Sequence, residues 1–132
     1  MLVYMLLLVA GLLGQTPKPA TKPIRVHFER GAITAQIKSQ LTDKQEGAYY
    51  LVDARAGQQL TVHTAGLSTE PIYHMVPIAV VYSPSGKYSG DKGPINFDAK
   101  LTETGTYTIR VGRNLMASNS KAGPYLLEII IR

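Results

Sequence analysis

A chain of 132 residues is one domain's worth, long enough to bury a two-layer core without covalent staples. It has no cysteine, which excludes a disulfide framework, a thiolate zinc site and a thiol nucleophile. Fourteen Lys plus Arg against nine Asp plus Glu give a formal charge of +5, and every charged side chain lies at or after Lys18, so none of the excess belongs to the first 17 residues.

The chain opens with an uncharged apolar run, Leu2 to Leu13. That length matches the core of an export signal and falls short of the ~20 residues that span a bilayer. Residues 1–14 are therefore expected to be a signal peptide, cleaved near Gly14 or Ala20, with no stable membrane span. Residues 15–23, with three prolines and two lysines, read as an extended linker. Residues 24–132 are left as one domain.

From Ile24 onward the hydrophobic period is two. Val26 and Phe28 alternate with Arg25 and His27, and Ile33, Ala35 and Ile37 alternate with Thr34, Gln36 and Lys38. Both runs fit half-buried strands. Next come Tyr50, Val52 and Ala54 on one face, a turn at Ala56-Gly57, then Leu60 and Val62, which predicts a hairpin. The run PIAVVY is continuously apolar, as in a sheet centre, and Pro84-Ser85-Gly86 closes it. After the turn signal Thr102 to Gly105, Tyr107, Ile109 and Val111 share a face, with Thr108 and Arg110 on the other. The last strand, PYLLEIIIR, turns Tyr125, Leu127, Ile129 and Ile131 inward. About eight short strands and no sustained helical period predict an all-β, antiparallel β-sandwich of jelly-roll-like form.

Glycines and one tyrosine hold the turns of this pattern. Gly57 and Gly105 supply backbone conformations that a Cβ makes costly. Tyr107 can bury its ring while its hydroxyl finds a backbone partner.

Catalytic signatures are missing. There is no Gly-x-Ser-x-Gly elbow, no His-Glu-x-x-His pair and no P-loop. His27 and His63 fall at outward strand positions, and His74 lies in an irregular stretch without a second ligand at useful spacing. Asp98, Glu103 and Glu128 are too scattered for a paired-carboxylate site. The expectation is a non-enzyme with no metal and no cofactor. Lys and Arg are spread without a basic helix or an RNA-binding aromatic motif, which argues against nucleic acid. The positive balance instead favours an anionic cell-envelope polymer or an acidic protein cleft.

Three segments, IRVHFERGAITAQIKSQL, YYLVDARAGQQLTVH and LTETGTYTIRVG, together resemble the bacterial pre-peptidase C-terminal (PPC)-like sandwich and its exported single-domain relative, the periplasmic inhibitor of g-type lysozyme. The resemblance covers Ile24 to Arg132. Ala54-x-x-Gly57-Gln58 and Gly105-x-Tyr107-x-Ile109-x-Val111 carry most of it, and both are structural motifs. It implies a periplasmic or extracellular binding protein that uses the 112–123 loop after the penultimate strand. Arg113 with Asn114 occupies the family's Arg-Asn position, and Lys121 and Tyr49 complete the candidate partner-binding set. Ala117 stands where the inhibitor pattern has a second arginine. A guanidinium suits such work because it meets a carboxylate through two parallel hydrogen bonds and stays charged.

Two other readings stand beside lysozyme inhibition. In one, the chain is an exported PPC-like structural or carbohydrate-binding module without a lysozyme target, and Arg113 is a solvated loop charge. In the other, the apolar strands PIAVVY and LLEIIIR pair with a second subunit.

Overall fold

The computed structural model describes residues 22–67, 76–90, 97–113 and 122–132. The expected signal peptide, His74, Asn114, Ala117 and Lys121 lie outside them.

Among the described residues there are nine strands: β1 (Ile24–Arg25), β2 (Thr34–Leu41), β3 (Ala48–Ala54), β4 (Gln59–Gly66), β5 (Pro77–Tyr82), β6 (Tyr88–Gly90), β7 (Phe97–Lys100), β8 (Gly105–Arg113) and β9 (Gly123–Ile131). They form two sheets, ordered β1-β3-β8-β5-β6 and β2-β9-β4-β7, which face each other as a β-sandwich. Every pairing is antiparallel except β1 with β3, which is parallel, so the first sheet is mixed where the period-two reading had expected antiparallel strands throughout. Alternation reports which face a residue takes and carries no information about the direction of a neighbouring strand.

The two inner faces interlock along the expected residues. Leu60, Val62, Ile109, Val111, Leu127 and Ile129 are completely buried, as is Tyr125, with Tyr50 and Val52 at 1% exposure. Each large aliphatic side chain taken out of water in this way contributes about 1.5–3 kcal/mol. β5 is an interior strand, between β8 and β6, as its continuous apolarity had suggested. At the chain's edges the pattern weakens: Ile33 precedes β2 and stays half exposed, and Ile131 is only partly buried.

Across the core, the Tyr50 and Tyr125 hydroxyls hydrogen-bond to each other at 2.5 Å, joining β3 of one sheet to β9 of the other. Ser39 on β2 is the cross-strand neighbour of Tyr125. Burial first, and then the facing Tyr50 hydroxyl, push the Tyr125 phenol well above its ordinary value, so it stays a neutral donor-acceptor at any physiological pH.

The turn at Ala56-Gly57 does not make a hairpin. β3 belongs to the first sheet and β4 to the second, so residues 55–58 arch between layers. Residues 101–104, between β7 and β8, make a second arch beside it. The two are tied together: the Gly57 N–H donates to the Leu101 carbonyl at 2.8 Å, the Leu101 N–H to Gln58 at 2.7 Å, and the Ala56 N–H to Thr104 Oγ1 at 3.0 Å. Turn residues specify a reversal of direction, and the receiving sheet is chosen by distant strands. Tyr107 behaves as expected, 3% exposed with its hydroxyl donating to the Glu103 carbonyl at 2.7 Å. Gly57 and Gly105 both have positive φ, +96° and +149°; a Cβ at Gly105 would also lie 2.9 Å from the Pro84 ring.

A candidate protein-binding end

Strand directions sort the connections onto two ends. The arches 55–58 and 101–104 share one end with the tight turn 83–87, whose Ser85 donates to both carboxylate oxygens of Glu103, from N–H at 3.0 Å and from Oγ at 2.8 Å. The turn 42–47 and the connection from β8 to β9 lie at the opposite end, because Ala48 pairs with Val111 and Leu41 with Gly123. β8 and β9 are in different sheets, so the second connection also passes between layers.

The 42–47 turn is closed by Thr42 and Gln45. The Thr42 N–H donates to Gln45 Oε1 at 2.9 Å, and the Gln45 N–H to the Thr42 carbonyl at 3.1 Å. Such local side-chain bonds are a common turn device. Gly47 then brings the chain hard against β8: a Cβ there would stand 3.0 Å from the Val111 carbonyl and 3.1 Å from Arg110 Nε. The space it leaves is taken by Arg110. Its Nε donates to the Tyr49 hydroxyl at 3.2 Å and its Nη2 to the Glu46 carbonyl at 3.0 Å. Tyr49 and Arg110 are cross-strand partners on the outer face of the first sheet.

Beside this pair is an open recess of about 500 Å³, lined by Asp43, Lys44, Glu46, Arg110, Gly112 and Arg113 among others. Arg113 ends β8, opposite Pro77, and is partly exposed. Neither arginine has an ion-pair partner among the described residues, where Arg25 with Asp53, 2.8 Å apart on the exposed face of the first sheet, is the one ion pair. A hollow of about 530 Å³ runs along the seam between β1 and β2. Its lining mixes Ile24 and Ile37 with Arg25, Lys38 and Glu29, and Arg25 is already paired with Asp53.

Of the candidate residues, Arg113 and Tyr49 thus fall at the same end, bridged by Arg110, which period-two reading had placed on the outward face without a role. Asn114 and Lys121 lie outside the described residues. The signal that could have found Arg110 is the pair of glycines flanking it, Gly47 across the ladder and Gly112 two residues on, since missing Cβ atoms beside a long side chain mark the path it takes. His27 and His63 are exposed. Among the described residues, no group of three or more His, Asp or Glu side chains could hold a metal ion.

The depressed carboxyls are elsewhere. The Thr106 hydroxyl and then Arg25 hold Asp53 below its ordinary value, Gln59 and Thr61 do the same for Asp98, and Ser85 for Glu103. These three belong to the tied end and its adjoining strands.

Comparison with solved structures gives the same architecture. PliG of Aeromonas hydrophila, a periplasmic lysozyme inhibitor of g-type lysozyme, superposes with a TM-score of 0.67 at 23% identity, covering 87% of this chain and 100% of that one. The chain shares the fold of the PliG inhibitors. PliG of Salmonella Typhimurium gives a TM-score of 0.64 at 20% identity, over 86% and 100% of the two chains. The pre-peptidase C-terminal domain of a Bacillus anthracis collagenase is more distant, with a TM-score of 0.53 at 17% identity over 87% and 99%. No protein-family model matches the sequence, and no curated protein does. The PliG fold and the PPC fold are thus one sandwich here, and the likeness concerns architecture.

Proposed function

We propose that this protein is an exported, non-catalytic inhibitor of a g-type lysozyme that acts through the end carrying Arg113, the 42–47 turn and the 112–123 loop. The observation that carries the reading is the superposition on PliG over the whole of that chain, with a recess that presents Arg110 and Arg113 at the loop end. Glycoside hydrolases work with carboxyl groups in an open cleft, so a cation from the loop end is the complementary chemistry. Arg113 is the leading contact, Tyr49 the aromatic one, and Asn114 and Lys121 complete the set from the loop. Export follows from residues 1–14 read as a signal peptide, with a periplasmic or extracellular destination.

The test is lysis of bacterial walls by g-, c- and i-type lysozymes in the presence of the purified protein, followed as turbidity. Slowing of the g-type enzyme at micromolar protein, with the others little affected, is the expected result. Unchanged lysis by all three enzymes removes this function. The second reading, a PPC-like envelope module with an anionic polymer as ligand, has the collagenase-domain likeness and the net charge of +5 in its favour. It predicts salt-sensitive co-sedimentation with purified walls and no effect on lysis.

A further inference from the structure

We propose that Arg110 is a second partner-binding guanidinium, which joins Arg113 in gripping a carboxylate of an acidic protein cleft at the recess beneath the 42–47 turn; the identity of that cleft rests on the inhibitor reading above. Arg110 is fixed before any partner arrives. Its Nε is held by the Tyr49 hydroxyl at 3.2 Å and its Nη2 by the Glu46 carbonyl at 3.0 Å. Gly47 gives it passage, since a Cβ there would press on Nε at 3.1 Å and on Cγ at 3.3 Å. Ordering a free arginine side chain costs up to about 2 kcal/mol of rotamer entropy, and here the fold has already met that cost.

The bonds that fix it leave most of its recognition capacity unused. A guanidinium has five N–H donors. Nε and Nη2 each commit one, to a phenol and a carbonyl, and the other three have no protein acceptor among the described residues. Both acceptors are neutral, so no counter-ion is in contact with the guanidinium among the described residues. Asp43 and Glu46 line the same recess, yet neither forms an ion pair with Arg110 or Arg113 among the described residues. A side chain needed only to brace the turn would not need a charge, whereas two guanidiniums on one recess, with Lys44 beside them, match a carboxylate in charge and in donor geometry.

The experiment has two arms. In the first, Arg110→Lys and Arg110→Ala are compared with the unaltered protein for inhibition of g-type lysozyme and for melting temperature. Lysine keeps the charge and loses the planar fork, so Arg110→Lys is expected to weaken inhibition at least tenfold with melting unchanged within a few degrees. Inhibition as strong as in the unaltered protein by either variant overturns the proposal while leaving the inhibitor function standing. In the second arm, the arginine Nε–H signals of the unaltered protein are followed by NMR during titration with succinate. Saturable movement of the Arg110 and Arg113 signals together, abolished for both by 1 M salt, supports a shared carboxylate site. Movement of Arg113 alone, or of neither, overturns it. Because this arm needs no lysozyme, it decides the role of Arg110 even if no lysozyme is inhibited.

Discussion

The two ends of the sandwich are built on opposite principles. At one, the arches 55–58 and 101–104 and the turn 83–87 are laced together by backbone bonds, by the Thr104 and Tyr107 hydroxyls and by Glu103. Carboxylates there are matched with donors and held ionised. At the other, the 42–47 turn is held by its own Thr42 and Gln45 and by Arg110, and its three cations and two carboxylates form no ion pair among the described residues. An end whose polar groups satisfy one another contributes stability, and an end whose donors remain available can bind. The difference marks the 42–47 end as the candidate binding surface, and it separates substitutions that should harm folding from those that should harm recognition.

The largest separation should come from Arg113→Ala. Loss of one partner of a buried charge pair costs a complex roughly 2–5 kcal/mol, on the order of 30-fold or more in affinity, while surface truncation leaves melting within a degree or two. Isothermal titration with a g-type lysozyme and a thermal melt would show both halves. Gly105→Ala should do the reverse. It places a Cβ at φ +149° and 2.9 Å from Pro84, for a stability loss of about 2–3 kcal/mol by denaturant titration and unchanged affinity. Smaller again is Tyr107→Phe, which removes the bond to the Glu103 carbonyl. It should cost about 1 kcal/mol in the same titration.

Acid should sharpen the contrast least but along the same line. Asp53, Asp98 and Glu103 have folded-state values below their unfolded ones. Their contribution is therefore complete above the ordinary carboxylate range, about pH 4, and is lost as pH falls through the depressed values. A melting profile against pH should decline from there downward. Replacing Asp53 and Glu103 by Asn and Gln should flatten it.

Much of the fold was legible because the inner faces are written in alternation: Tyr50, Val52 and Ala54, then Tyr107, Ile109 and Val111, then Tyr125, Leu127 and Ile129 all face the core as the period of two requires. Less legible was how strands are distributed. The Ala56-Gly57 turn looked like a hairpin because its local chemistry reverses the chain, while the partners that send β4 to the second sheet, β9 and β7, lie far along the sequence. The parallel β1 was invisible for the same reason. At the working end, Tyr49 could be read as outward because Tyr50 is in phase with the core. Arg110 could not be read further than that, since the direction of its side chain depends on a missing Cβ at Gly47, in the turn before another strand. The register that sets Tyr49 beside Arg110 is a property of the pair of strands and of neither alone.

The tyrosine pair at the centre of the sandwich has a consequence for how this sequence can diverge. Tyr50 and Tyr125 are 75 residues apart and share one hydrogen bond. Removing either hydroxyl alone would strand the other in the core. Mutation can therefore dismantle the pair only through a damaged intermediate, whichever hydroxyl goes first. In descendants of this chain the two positions should drift as a linked couple.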